Sequence, residues 1–187
     1  MSATLLPFGL LAVNKDGRDI QVLRYDMLPA AASIARNQLV RINPATGTLE
    51  AQTDGVAKPV LGTFAGVEYF DSTGRYTQAP DWVAQAGATN VYGFVQFDPG
   101  TIYEVQADGP VALTAMGAQC NMTNSAAQNA LGFNIGVLAT ATISHATANQ
   151  LQIVGKQPDL DNNWGDNFTK VLVKVSNPQF YASNAPF

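Results

Sequence analysis

Hydrophobic and polar positions alternate along much of the chain with the period of two that is typical of β-strands. In the run 169–175, valines alternate with Lys and Leu, which predicts a strand with one buried face. The run 91–97 follows the same pattern. Its positions on one face are Val91, Gly93, Val95 and Phe97. Both runs are short, as expected of strands rather than helices.

Turn residues between these runs predict how the strands connect. Residues 38–42 and 49–53 flank Asn43, Pro44 and Gly47, which predicts a β-hairpin. Asp98-Pro99-Gly100 separates 91–97 from 101–107, and this tripeptide fits a short hairpin loop. Glycines 62 and 66 fall inside a strand-like run, 59–70, where they predict a bulge or corner.

The remaining segments complete an all-β pattern. Residues 18–28 predict an extended strand, 29–35 one helical turn and 71–89 a loop. Further strands are expected in 135–143 and 151–155. With at least seven strand candidates and no amphipathic helix of ten residues, the sequence predicts a single-domain β-barrel or β-sandwich.

The N-terminal region is expected to be an extended arm. It begins with an apolar stretch in which Pro7 and Gly9 both oppose a helix. We therefore divide the chain into an extended N-terminal arm, 1–35, and a β-rich body, 36–187.

Composition narrows the classes of partner. Only 13% of the 187 residues are charged, about half the usual fraction, which favours a protein that works packed against neighbours. A net charge of −4 with 10 Lys and Arg argues against nucleic acid, and no apolar run approaches a membrane span of about 20 residues. With Cys120 and His145 as the single members of their types, neither a disulfide nor a Cys/His zinc site is expected within the chain.

Catalytic motifs are absent from the sequence. There is no G-x-G-x-x-G, no G-x-x-x-x-G-K-[ST] and no G-x-S-x-G. Ser144 and His145 are adjacent, so in a strand they would point to opposite faces, and Cys120 has no basic neighbour to lower its pKa. We expect no enzyme, no cofactor and no metal. A hydrolase that uses His145 remains a minor alternative.

The acidic stretch 159–166 matches part of a calcium-binding loop. Asp159, Asp161 and Asn163 match the first three ligand positions of an EF-hand, but Trp164 and Lys170 occupy the positions that require Gly and Glu. The EF-hand interpretation fails. Ordinary Asn/Asp/Gly turn chemistry is favoured over a looser oxygen-ligand site.

Aromatic residues supply a competing function. A β-sandwich carbohydrate-binding module, or a host-adsorption protein, would use exposed rings as a platform. The candidates are Tyr69, Phe70, Tyr76, Trp82, Tyr92 and Tyr103.

Three stretches carry a resemblance to a known family. They are L-V-R-I-N-P-A-T-G-T-L-E-A-Q with the following P-V-L-G-T-F-A-G-V-E-Y, the segment V-Y-G-F-V-Q-F-D-P-G-T-I-Y-E-V-Q-A-D-G, and residues 151–180. Together they span most of residues 38–180, and the pattern resembles the small β-rich decoration or cement proteins of tailed-phage heads, of the marine and cyanobacterial phage type.

The resemblance implies a mechanical role. Such a protein is made in the host cytoplasm and binds the exterior of the capsid, where it stabilises contacts between subunits of the major capsid protein. It implies a homo-oligomer, with a trimer favoured over a dimer, and an arm that reaches a neighbouring subunit. The residues expected at interfaces are Leu5, Leu6, Phe8, Leu10, Leu11, Tyr25 and Tyr103.

Overall fold

The computed structural model describes residues 4–13, 20–52, 59–98, 100–123 and 125–180. Within these ranges the chain is all-β, as predicted, with two short 3₁₀ turns at Leu113–Ala115 and Thr140–Thr142 and no α-helix. The strands are β1 (Leu11–Val13), β2 (Val22–Asp26), β3 (Leu39–Ile42), β4 (Leu49–Ala51), β5 (Gly62–Phe70), β6 (Tyr76–Ala79), β7 (Thr89–Gln96), β8 (Ile102–Gln106), β9 (Gln119–Cys120), β10 (Met122–Thr123), β11 (Val137–Leu138), β12 (Leu151–Lys156) and β13 (Lys170–Val175). The described part of the chain contains no helix of the length and apolar character needed to cross a membrane.

The strands form two main antiparallel sheets. The first sheet has the order β1-β8-β13-β12-β9, and the second has the order β2-β7-β5-β3-β4, with β6 also paired to β5. Strands β10 and β11 pair separately. The arrangement is consistent with a β-sandwich. Among the described strands, neither sheet closes into a barrel.

Each sheet has its own cluster of buried side chains. The first cluster surrounds Tyr103 and Val173 and also takes in Leu39 from the second sheet. The second cluster surrounds Phe64 and Trp82. Because burying each large apolar side chain stabilises a fold by about 1.5–3 kcal/mol, these clusters supply most of the driving force that holds the sheets together.

The Asp98-Pro99-Gly100 connection does not form the predicted hairpin. Strand β7 pairs with β2 and β5, whereas β8 pairs with β1 and β13, so the turn carries the chain from one sheet to the other. Both edges of each strand are already occupied, which leaves no edge for pairing β7 with β8. The local turn chemistry is as expected, since Asp98 accepts hydrogen bonds from the N–H of Gly100 at 2.6 Å and of Thr101 at 2.9 Å.

The described N-terminal residues contribute strands to both main sheets. Strand β1 pairs with β8 and β2 pairs with β7, so each main sheet takes one edge strand from residues 1–35. Residues 4–10 are extended, but they lie along the same chain, where the N–H of Leu10 donates to the Asn37 carbonyl at 3.0 Å. Within the described residues, strands β1 and β2 therefore join the two main sheets, while the division at residue 35 and the contact of the arm with a neighbouring subunit stay predictions.

Several local predictions can be compared with the strands. The β3–β4 hairpin and the closing strand β13 are confirmed. Segment 71–89 is not only a loop, because β6 pairs with β5 there, and 29–35 forms a turn without a helix. Segment 135–143 contains only a two-residue strand, because Thr142 donates its hydroxyl to the Ala139 carbonyl and the chain turns.

Candidate binding face on the second sheet

The outer face of the second sheet carries a cluster of polar and aromatic side chains. Strand β7 buries Val91, Gly93 and Val95, so Tyr92 and Phe94 project from the opposite face. Register brings Glu68 of β5 opposite Tyr92, and Arg24 of β2 opposite Phe94. Three neighbouring strands thus place their side chains on one surface.

A charged network organises this face. Arg24 Nη1 lies 3.1 Å from Glu68 Oε1, and the Arg24 guanidinium carbon lies 3.6 Å from the centroid of the Tyr92 ring. The Tyr76 hydroxyl donates to Glu68 Oε2 at 2.8 Å, and Gln78 Nε2 donates to the Tyr76 oxygen at 2.6 Å. Both carboxylate oxygens of Glu68 are therefore engaged.

The network fixes positions and protonation more than it adds stability. The hydrogen bond to Glu68 raises the pKa of Tyr76 above its usual 10.0, so this phenol keeps its proton to a higher pH than a free tyrosine does. Half the Arg24 side chain is exposed, at 52%, and ion pairs that water reaches are weak. The cation–π contact with Tyr92 holds the guanidinium flat against the sheet.

A shallow cavity of about 350 Å³ opens over this network. Its floor and rim are Arg24, Glu68, Phe70, Tyr76, Asn90 and Tyr92. The Phe70 and Tyr76 rings meet edge to face with centroids 5.7 Å apart, and both side chains are exposed. The cavity combines aromatic surface with a few fixed polar groups, the usual composition of a small-molecule site.

A β-bulge shapes the rim of the cavity. The β5–β7 register shifts between Glu68, opposite Tyr92, and Phe70, opposite Thr89. In this irregular stretch Asn90 has a φ of 51°, a left-handed conformation that few non-glycine residues adopt. Bulges commonly re-aim side chains next to functional sites, and this one places Asn90 at the cavity.

The chemistry of the face favours binding. Arg24 pairs with one oxygen of Glu68 and the Tyr76 hydroxyl donates a hydrogen bond to the other, so the site offers a carboxylate that is held in a fixed position. Hydroxyl groups of a ligand can bond to these fixed donors and acceptors while its apolar surface packs on Tyr76. A polyhydroxylated ligand suits this combination.

The aromatic candidates from the sequence fall into two sets. Phe70, Tyr76 and Tyr92 share the candidate face. Tyr69 and Trp82 are buried in the second cluster, with ring centroids 5.3 Å apart, and Tyr103 is buried in the first. A sugar platform can use only the first set.

The predicted interface residues are also divided by burial. Leu5, Leu6 and Leu11 are exposed, with Leu6 at 71%, whereas Phe8 and Tyr25 are partly buried. Leu10 and Tyr103 are enclosed in the chain's own first cluster, and the Tyr103 hydroxyl donates to the Gln96 carbonyl at 3.1 Å. Because their surfaces are already covered, we exclude Leu10 and Tyr103 from any interface.

The residues considered for catalysis are not assembled into a site. The Ser144 hydroxyl accepts hydrogen bonds from the N–H groups of Ala146 and Thr147 in a local turn. His145 Nε2 instead lies 3.0 Å from the Thr114 carbonyl oxygen. Burial raises the pKa of the Cys120 thiol to about 12, so it is protonated and unreactive at neutral pH.

The acidic stretch 159–166 is ordered by turn hydrogen bonds. Asn162 Nδ2 donates to the carbonyls of Gln157 and Lys170, each at 2.8 Å, and Lys170 Nζ lies 3.3 Å from Asp159 Oδ2. The ammonium group of Lys170 is thus paired with the carboxylate of Asp159. Among the residues that the structure describes, no three His, Cys, Asp or Glu side chains are grouped to hold a metal ion.

Sequence reasoning missed Arg24, Gln78 and Asn90, and it had no basis for choosing Glu68 among the carboxylates. The alternation of β2, β5 and β7 assigns each residue to a face of its own strand. The pairing register, which brings the strands together, is a tertiary property.

Comparison of the chain with protein-family models, with curated proteins and with solved structures gave no match.

Proposed function

We propose that this chain is a structural protein of a tailed-phage virion, which binds the outside of the capsid as a homo-oligomer and stabilises contacts between subunits of the major capsid protein. Its charged fraction of 13% supports a surface used for packing rather than for solvation alone. In this role the protein has no catalytic activity and works by adding contact area.

The observation that carries the proposal is the apolar N-terminal edge. Leu5, Leu6 and Leu11 are exposed beside the edge strand β1 of the first sheet. Apolar side chains beside strand edges are typical of surfaces that other proteins cover. A cement protein that repeats such contacts around a shell gains avidity from many individually weak interfaces.

The direct test is co-sedimentation with expanded, empty capsids of the source phage. Leu6→Asp places a charge in the apolar edge, and we expect it to weaken capsid binding at least tenfold. Leu160→Asp is the matched control, because Leu160 is fully exposed in a turn far along the chain. Equal binding by the two variants would remove the apolar edge from the interface, and no binding by the unmodified protein would reject the capsid role.

A second candidate function is carbohydrate binding, as a module or as part of host adsorption. The face formed by Arg24, Glu68, Tyr76 and Tyr92 favours it, because it combines an exposed ring with fixed hydrogen-bonding groups. A glycan array would be screened with the unmodified protein and with Tyr76→Ala. Carbohydrate binding predicts that the unmodified protein binds glycans on the array and that Tyr76→Ala loses this binding. An array without hits would reject it.

A further inference from the structure

Strand β2 lies at the edge of the second sheet and pairs only on one side among the described strands. The N–H of Phe97 donates to the Gln21 carbonyl at 3.1 Å, and the N–H of Met27 donates to the Val91 carbonyl at 2.9 Å. Hydrogen-bonded and non-hydrogen-bonded pairs alternate in an antiparallel ladder. The backbone N–H and C=O groups of every second residue of β2 therefore point away from β7. The outward-facing residues are Val22, Arg24 and Asp26.

These outward backbone groups form no hydrogen bond with any other residue that the structure describes. The ladder of β2 with β7 runs over five consecutive pairs, and β2 contains neither a bulge nor a proline, which are two of the devices that protect sheet edges. Val22 is 50% exposed and Leu23 is 40% exposed. A regular, partly apolar edge of this kind is a template for another strand.

We propose that the occupant of this edge is β2 of a second copy of the chain, paired antiparallel across a two-fold axis at Tyr25. Side-chain charge selects the register. With Tyr25 opposite its own copy, Arg24 comes opposite Asp26 on both sides of the axis, and the exposed Val22 comes opposite the exposed Leu28. A shifted register that also lets the outward backbone groups of the two β2 strands meet would place Arg24 opposite Arg24 of the other copy. Like charges directly opposite each other in a strand pair are destabilising.

The same edge used by both copies generates a closed dimer. An isologous contact of this kind closes with two-fold symmetry and joins the two second sheets into one continuous sheet. The β2 edge therefore favours a dimer over the trimer expected from the family resemblance. The pairing concerns the chain alone, so it does not depend on the proposed capsid role.

Charge reversal at the edge tests the pairing. Asp26→Arg places like charges across both pairs, and Asp161→Arg makes the same change at an exposed position in the loop between β12 and β13. In sedimentation velocity we expect the unmodified 19.8 kDa chain and Asp161→Arg to sediment as dimers, and Asp26→Arg to shift at least tenfold toward monomer. A monomeric unmodified protein, or identical behaviour of the two variants, would overturn the proposal.

Cysteine cross-linking tests the register independently. Tyr25 of the two copies forms a non-hydrogen-bonded pair, with Cα atoms about 4.5 Å apart, within the range for a disulfide. Leu23 is offset from its own copy by four residues, about 13 Å along the strand, which is too far. We expect oxidised Tyr25→Cys, but not Leu23→Cys, to run as a covalent dimer. The opposite result, or no cross-link in either variant, would overturn the register. Neither assay contains capsids. Failure of the β2 pairing therefore leaves the capsid proposal standing, and failure of capsid binding leaves the β2 pairing standing.

Discussion

The backbone N–H of Leu6 donates to the side-chain oxygen of Gln106 at 2.8 Å, and Gln106 Nε2 returns a bond to the Thr4 carbonyl at 3.0 Å. Gln106 is buried at the end of β8, which lies between β1 and β13 in the first sheet. One amide therefore holds the N-terminal segment against the body, which keeps the exposed Leu5 and Leu6 side chains in a defined place.

Replacement of this amide should release the segment. Gln106→Met keeps a similar volume but removes both hydrogen bonds, so we expect residues 4–6 to open and the free energy of unfolding to fall by about 1–3 kcal/mol. Hydrogen exchange measures the opening. The Leu6 amide should exchange faster in the variant than in the unmodified protein, whereas amides of β13 serve as the reference within each protein. Unchanged exchange at Leu6 would show that the bonds to Gln106 do not hold the segment.

A glycine in β5 is required by a close approach of backbones. A Cβ at Gly62 would lie 2.3 Å from the Gln96 carbonyl oxygen, whereas a Cβ at Gly155 would meet nothing closer than 3.5 Å. We expect Gly62→Ala to lower the free energy of unfolding by about 1–3 kcal/mol or more through overpacking, and Gly155→Ala to be nearly neutral. Urea denaturation of the two variants is the measurement, and equal stabilities would contradict the packing described for β5 and β7.

Cys120 should make the fold sensitive to alkali. Burial raises its pKa from 9.0 to about 12, so above pH 9 the thiol ionises in the unfolded chain while the folded chain keeps its proton. The unfolded state is then favoured increasingly as pH rises from 9 to 12, by up to about 1.4 kcal/mol per pH unit, and the thiol has no such effect below about pH 8.

The variant Cys120→Ala isolates this effect. It loses some packing at every pH, but its stability should fall less steeply between pH 9 and 11 than that of the unmodified protein. Denaturation curves at pH 7.5 and 10.5 give the two slopes. Burial also raises the pKa of Tyr103 in both proteins, so only the difference between their slopes reports on the thiol. Identical slopes would contradict the burial of Cys120.

Glu68 should control the ionisation of Tyr76. The hydrogen bond and the negative charge of Glu68 raise the pKa of this phenol, so Glu68→Gln should lower it toward the usual value of 10.0. The difference between the ultraviolet titrations of the two proteins isolates one tyrosine among six. A zero difference spectrum would mean that the two side chains do not interact in solution.

The all-β fold was predictable because alternation records which face of each strand is buried. Val171 and Val173 of β13 lie in the core as their period of two indicates. The partner of each strand was harder to infer. The Asp98-Pro99-Gly100 turn has hairpin chemistry, but β8 is buried along nearly its whole length and sits between two other strands. Whether β7 and β8 form a hairpin depends on which other strands pair with their edges. The local sequence of the turn does not contain this information.

The candidate face was predictable only in part. Tyr76 and Tyr92 were among the aromatic candidates, but Trp82 and Tyr103 looked equally suitable, because a ring gives no local signal of burial. The assembly of Arg24 with Glu68 depends on two strand registers and on the bulge near Asn90. These features arise from tertiary strand pairing, because Arg24 and Glu68 are separated by 44 positions in the sequence.

The most direct test of the capsid role is the number of copies bound per shell at saturation. Purified protein would be titrated onto expanded, empty capsids of its source phage, and the bound fraction counted after sedimentation. The account predicts saturable binding at a fixed multiple set by the symmetry of the shell. Absence of binding, or binding that rises without saturation, would contradict it.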